Sequence, residues 1–208
     1  MAITLDVGEL ISIFADCDDR LQAIAGEQLL RLVECGDLGW EEARSFCLRV
    51  MPLKLLSDEC RVIQLRIFHG LLHTTEFSDL ILQLDVIRHV VLLLPVYGMD
   101  EPRTLVEVLK IIAMYMSLKD FEDHHLEAVV LSIEIILNNS LSFELLKEAW
   151  NLLHQHLVIE NATVRAILKK IDVLNCIHQC DFALLLEDEN DEPGVIAKVF
   201  EGKLTYRE

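Results

Sequence analysis

Three groups of side chains in this sequence have the types and spacing from which chemistry is built. His69 and His73 stand four apart, so a helix would carry both imidazoles on one face, where they could ligate a metal together. The residues between them, Gly70-Leu71-Leu72, lack the glutamate that metalloprotease helices place there. The pair therefore reads as polar residues on an exposed or partner-facing surface. Cys176-Ile177-His178-Gln179-Cys180 puts two thiols and an imidazole within about one helical turn. A helical Cys-x-x-x-Cys supplies at most two well-placed ligands, and at about 100° per residue His178 projects away from the face they share. A metal or redox role for Cys176, His178 and Cys180 stands as an alternative behind a packing role. His124, His125, His154 and His156 admit the same two readings.

The third group is carboxylate: Asp16, Asp18 and Asp19, then Glu41 and Glu42. General acid–base work needs a concave pocket that shifts such groups, whereas acids at helix starts simply complement the helix dipole, which is the reading adopted. The eight glycines form no Gly-x-Gly and no Gly-Lys-Ser/Thr, so the common phosphate loops are excluded, and no Gly-x-Ser-x-Gly nucleophile elbow is present. No catalytic residue, metal ligand set or cofactor is expected.

Charge narrows the partners. The chain carries 35 Asp+Glu against 18 Lys+Arg, a formal net charge of −17, and its densest basic pair is Lys169-Lys170. Nucleic acids and anionic membranes are bound by clustered Lys and Arg, so both are disfavoured, and a protein partner with a basic patch is the expectation. No uncharged stretch is longer than His89 to Met99, which is shorter than the roughly 20 apolar residues a spanning helix needs. The opening Met1-Ala2-Ile3-Thr4-Leu5-Asp6 has no basic stretch typical of a secretory leader. The six cysteines (17, 35, 47, 60, 176, 180) are dispersed without small-scaffold spacing. An intracellular protein with reduced thiols, cytoplasmic or nuclear, is expected.

These residues must be positioned by helices. With 208 residues, 52% hydrophobic, and four prolines, the chain has ample material for a core. Three- and four-residue apolar steps predict helices at about 4–16, 18–34, 40–51, 57–73, 76–94, 101–116, 121–139, 142–158 and 161–185. Cys35-Gly36 stops one, Ser57 caps another, and Pro102 sits in the first turn of a third. Gly26 and Gly70, inside helices, predict close helix approach at those points.

The openings repeat. Asp18-Asp19-Arg20, Asp58-Glu59-Cys60-Arg61 and Asp100-Glu101-Pro102-Arg103 each start a long helix at intervals of about 40 residues, and Ser142 starts a fourth without the Arg. Each follows an apolar helix, best seen in Met51-Pro52-Leu53-Lys54-Leu55-Leu56-Ser57-Asp58. Over about residues 4–172 this resembles a HEAT repeat, whose Pro- and Leu-containing first helix precedes an Asp-x-x-Val-Arg-like start of the second. Here Val62 follows Arg61 rather than preceding it. An armadillo-type three-helix unit stays open, since 76–94 could split at Asp85.

The expected fold is all-α: a right-handed α–α superhelix of stacked helix pairs, eight to ten helices over residues 1–186. Residues 187–208 form an acidic linker and tail, with the run Glu187 to Glu192 and then Pro193-Gly194. Residues 195–206 read as a tail, a segment ordered by a partner, or a short hairpin. The HEAT resemblance implies that the second helices (18–34, 58–73, 101–116, 142–158) line a concave binding surface. Its polar stripe would comprise Glu27, Arg31, Arg66, His69, His73, Glu107, Lys110, Glu148, Asn151 and Gln155. The expected function is a non-enzymatic scaffold or adaptor. The alternative is an obligate subunit of a complex, docking or self-associating through the apolar Val90–Val96 region.

Overall fold

The computed structural model describes residues 6–50, 57–94, 101–119, 123–140 and 142–152. Among them are nine helices and no strand: α1 (Val7–Asp16), α2 (Asp19–Cys35), α3 (Trp40–Val50), α4 (Asp58–His73), α5 (Thr75–Gln83), α6 (Val86–Val91), α7 (Pro102–Leu118), α8 (Asp123–Asn139) and α9 (Phe143–Leu152). No helix among the described residues is long and apolar enough to cross a membrane. The chain divides into two compact units, Met1–Val129 and Val130–Glu208. The boundary expected between 186 and 187, and the whole tail beyond it, lie outside the described residues.

The helix ends follow local chemistry. The Asp18 carboxylate accepts the Leu21 backbone N–H at 3.2 Å and caps α2. At the other end Gly36 adopts φ 74°, the left-handed conformation glycine reaches without a Cβ penalty, and Asp37 N–H returns to the Leu32 carbonyl at 2.8 Å. Pro102 opens α7, where its missing N–H costs nothing. The single helix expected over 76–94 is a correction: it is broken at Leu84-Asp85 into α5 and α6. Asp85 turns to φ 50° there, a conformation that Asp tolerates better than most residues. That break is the split at Asp85 that the sequence left open.

Within the first unit the helices form two layers. α2, α4 and α7 pack in succession in one, α1, α3, α5 and α6 in succession in the other, and α1–α2, α4–α5 and α6–α7 contacts join them. Phe14, Phe46 and Phe68 fill the space between α1, α3 and α4, fully buried, with successive ring centroids 5.9 and 5.5 Å apart. The close approaches predicted at two glycines are present. A Cβ on Gly26 would stand 2.6 Å from Phe14 Cε2 and 2.8 Å from Ile63 Cγ2, and one on Gly70 would stand 2.6 Å from Val33 Cγ1. The interval along the chain from Gly26 to Ile63 equals that from Val33 to Gly70, so α2 and α4 run parallel.

The repeated openings touch one another. The Cys60 thiol donates to the Asp19 carbonyl at 3.4 Å, joining the start of α4 to that of α2. Arg61 is 5% exposed and reaches the other way, donating Nη1–H to Glu101 at the start of α7 and to Asp58 at 3.2 Å. Glu101 also accepts from Thr104 Oγ1 at 3.2 Å. At α4 the opening is thus a lateral clamp, joined through Cys60 to the start of α2 and through Arg61 to the start of α7.

Two strongly apolar stretches, the expected contact region Val90–Val96 among them, are mostly core where described. Val90, Val91, Leu93 and Leu94 are buried, and of the described part of Val90–Val96 only Leu92 is exposed, at 58%. From Ala128 to Leu137, Val129, Val130, Ile133, Ile136 and Leu137 are buried and Leu131 and Ile135 are exposed. In the second unit, Leu145, Leu146, Ala149, Trp150 and Leu152 form the buried side of α9.

Candidate partner-binding face

The outward stripe of α2 carries Glu27, Arg31 and Glu34, whose three- and four-residue steps place them on one helix face, all exposed. From α4, Arg66 extends towards α2, and its Nη2 lies 3.8 Å from the Glu34 carboxylate. Both side chains are about half exposed, so this ion pair contributes on the order of 0–1 kcal/mol and serves to orient the groups more than to hold the fold.

One turn further along α4 stand His69 and His73. Their rings meet edge to face with centroids 4.6 Å apart, and the two Nε2 atoms are 3.3 Å apart, one donating and the other accepting. His69 is half-buried and His73 exposed. Burial chiefly, then the neighbouring His73 and the Lys110 ammonium, lower the His69 pKa to about 4, so the ring is neutral at physiological pH. Lys110 of α7 is itself bound to Glu107 at 3.2 Å. Three helices therefore contribute to one polar face: Glu27, Arg31 and Glu34 from α2, Arg66, His69 and His73 from α4, and Lys110 from α7.

Glu107 corrects the expected stripe. It is only 9% exposed, within a run from Thr104 to Leu109 in which every side chain is buried. A one-sided amphipathic reading assigns α7 a single apolar face, but the helix packs against both α4 and α6, so two of its sides are covered. Glu107 acts from below the surface, holding the Lys110 ammonium. Glu148 and Asn151 lie half-buried on α9 in the second unit, and Gln155 falls outside the described residues. Glu34 was missed, although its three-residue step from Arg31 places it on the face already read from α2.

The thiols follow burial. Cys47 and Cys60 are buried, and desolvation pushes Cys47 up to about 12 and raises Cys60, whereas Cys17 and Cys35 are exposed and free. Cys176, His178 and Cys180 lie outside the described residues, as do His154 and His156. Among the described residues no group of three or more His, Cys, Asp or Glu is placed to hold a metal ion. What the face offers is a set of hydrogen bonds and mixed charges spread over three helices. Comparison with protein-family models, curated proteins and solved structures finds no match to this chain.

Proposed function

We propose that the chain is a non-enzymatic interaction module that stacks its helices in the manner of HEAT or armadillo repeats, in a right-handed superhelix. It binds a protein partner on the face formed by α2, α4 and α7. The observation that carries this reading is the parallel packing of three helices whose openings recur at about 40-residue intervals and clamp one another through Cys60 and Arg61. Units that cannot bury an apolar face alone bury it by stacking, and stacking leaves a continuous outer face for a partner. The −17 net charge of the chain favours encounter with a partner presenting a basic patch, and Glu27 and Glu34 are the carboxylates such a patch would meet among the mixed charges of this face.

The test is affinity capture of the tagged full chain from its native cells, with stoichiometry by mass spectrometry, in parallel with Glu27→Lys/Glu34→Lys. Both positions are exposed, so the variant keeps its helicity. A near-stoichiometric partner recovered by the native chain, weakened by added salt and lost by at least about tenfold in the variant, is the expected result. Equal recovery by both proteins rejects the assignment of the face.

A further inference from the structure

The geometry points to a two-histidine transition-metal site at the C-terminal end of α4, formed by His69 and His73 and suited to Zn²⁺. This inference does not depend on the partner-binding reading, because the chelate is complete within one helix. Two zinc–nitrogen bonds of about 2.05 Å at a tetrahedral angle place their nitrogens about 3.3 Å apart. That is the separation the two Nε2 atoms already have. The ring centroids are farther apart, at 4.6 Å, so the imidazoles converge at their Nε2 tips, as a chelating pair must.

Three features of the surroundings bear on a cation there. His73 is the last residue of α4, so the ion would sit over the final helical turn, where the dipole and the unpaired carbonyls are negative. Partial burial of His69 opposes a cation there as it opposes a proton, a cost that the open side at the exposed His73 limits. Lys110 acts against the cation, and the adjacent Glu107 carboxylate, 3.2 Å from its ammonium, offsets that charge. In the metal-free pair one Nε2–H donates to the other Nε2. On ligation that proton moves through solvent to Nδ1 of the same ring, so both Nε2 lone pairs reach the metal and no net charge is transferred. With two protein ligands, two tetrahedral positions remain for water or for a donor on another molecule, the arrangement of an open rather than a closed site.

Zinc is the probe because the exposed thiols of Cys17 and Cys35 reduce Cu²⁺, and because a metal buffer fixes free Zn²⁺ however much the thiols take up. Long-range ¹H–¹⁵N correlation of the full chain, with assignments from His69→Gln and His73→Gln, reads each imidazole separately. Zn²⁺ is expected to shift both rings along one saturation curve and to fix both as Nδ1–H tautomers. In His73→Gln, whose exposed position leaves the fold intact, the free Zn²⁺ needed to shift His69 rises at least about tenfold, because the second ligation is no longer intramolecular. Lys110→Met is expected to lower it. Shifts at other histidines while these two stay unchanged, or a His69 response unaltered in His73→Gln, overturn the assignment.

Discussion

Replacing Arg61 by Met tests whether the acid–Arg openings hold neighbouring helices together. The guanidinium is buried, with 6% of its side chain exposed, and bridges Asp58 of its own helix to Glu101 at the start of α7. Removing one partner of a buried ion pair costs about 3–5 kcal/mol, because the other charge is left desolvated. Here the charge left behind is Glu101, which keeps the Thr104 hydroxyl and has 22% of its side chain exposed, so solvent screening lowers the expected cost to roughly 2–3 kcal/mol. Glu101→Gln leaves the guanidinium beside Asp58, itself 72% exposed, and is expected to cost about the same. The double variant Arg61→Met/Glu101→Gln removes both charges and is expected to lie within about 1–2 kcal/mol of the native chain. Urea unfolding followed by circular dichroism gives all four corners of the cycle, with unchanged slopes as the check that midpoints report stability. A coupling of about 2 kcal/mol or more is the prediction. Additivity within about 0.5 kcal/mol would refute the clamp, because groups that do not interact add.

Two glycines should respond with opposite signs. In Gly26→Ala the new methyl meets Phe14 and Ile63 inside 3.0 Å, and the Phe14 ring is backed by Phe46; overpacking of about 1–3 kcal/mol outweighs the roughly 1 kcal/mol helix gain, so the melting temperature falls. Gly8→Ala, exposed and with its nearest neighbour atom at 3.6 Å, should stabilise by about 0.5–1 kcal/mol in the same melts. Stability should also depend on pH through His69. Its folded pKa, near 4, lies below the unfolded value of about 6.5, so the unfolded chain binds the proton first. The His69 contribution is fully present above pH 6.5 and is lost as pH falls towards 4, where His73 and Lys110 also oppose protonation; His69→Gln should flatten that part of the urea-midpoint profile. Brief alkylation with iodoacetamide, read by peptide mass spectrometry, should modify Cys17 and Cys35 in the native protein and reach Cys47 and Cys60 only after denaturant is added.

Much of the first unit is written locally in the sequence. The caps at Asp18 and Gly36, the proline that opens α7 and the three- and four-residue apolar steps are short-range signals, and the helices form where those signals place them. The glycine positions were also legible, because a residue that costs helix propensity at a regular apolar position is explained by a neighbour that needs the space. What was hidden depends on packing. The burial of Glu107 follows from α7 having two packed sides, which hydrophobic periodicity does not encode, whereas the split at Asp85 was raised by the sequence and decided by the backbone turn to φ 50°. The sequence places Arg61 only as part of a repeated helix opening. Its reach to Glu101 exists only because α4 and α7 lie side by side, and sequence repetition indicated the interval without revealing the contact.

The face assigned to partner binding exists only if α2 and α4 run parallel in the stated register, and nuclear Overhauser contacts in methyl-labelled protein measure that directly. The Ile63 γ2 methyl should show contacts to the Gly26 α-protons and to the Phe14 ring, and a Val33 γ methyl should show contacts to the Gly70 α-protons. Both sets together admit only the parallel alignment. Absence of either set, or a Val33 methyl that contacts the first turn of α4 in place of Gly70, would contradict the arrangement from which the binding face is built.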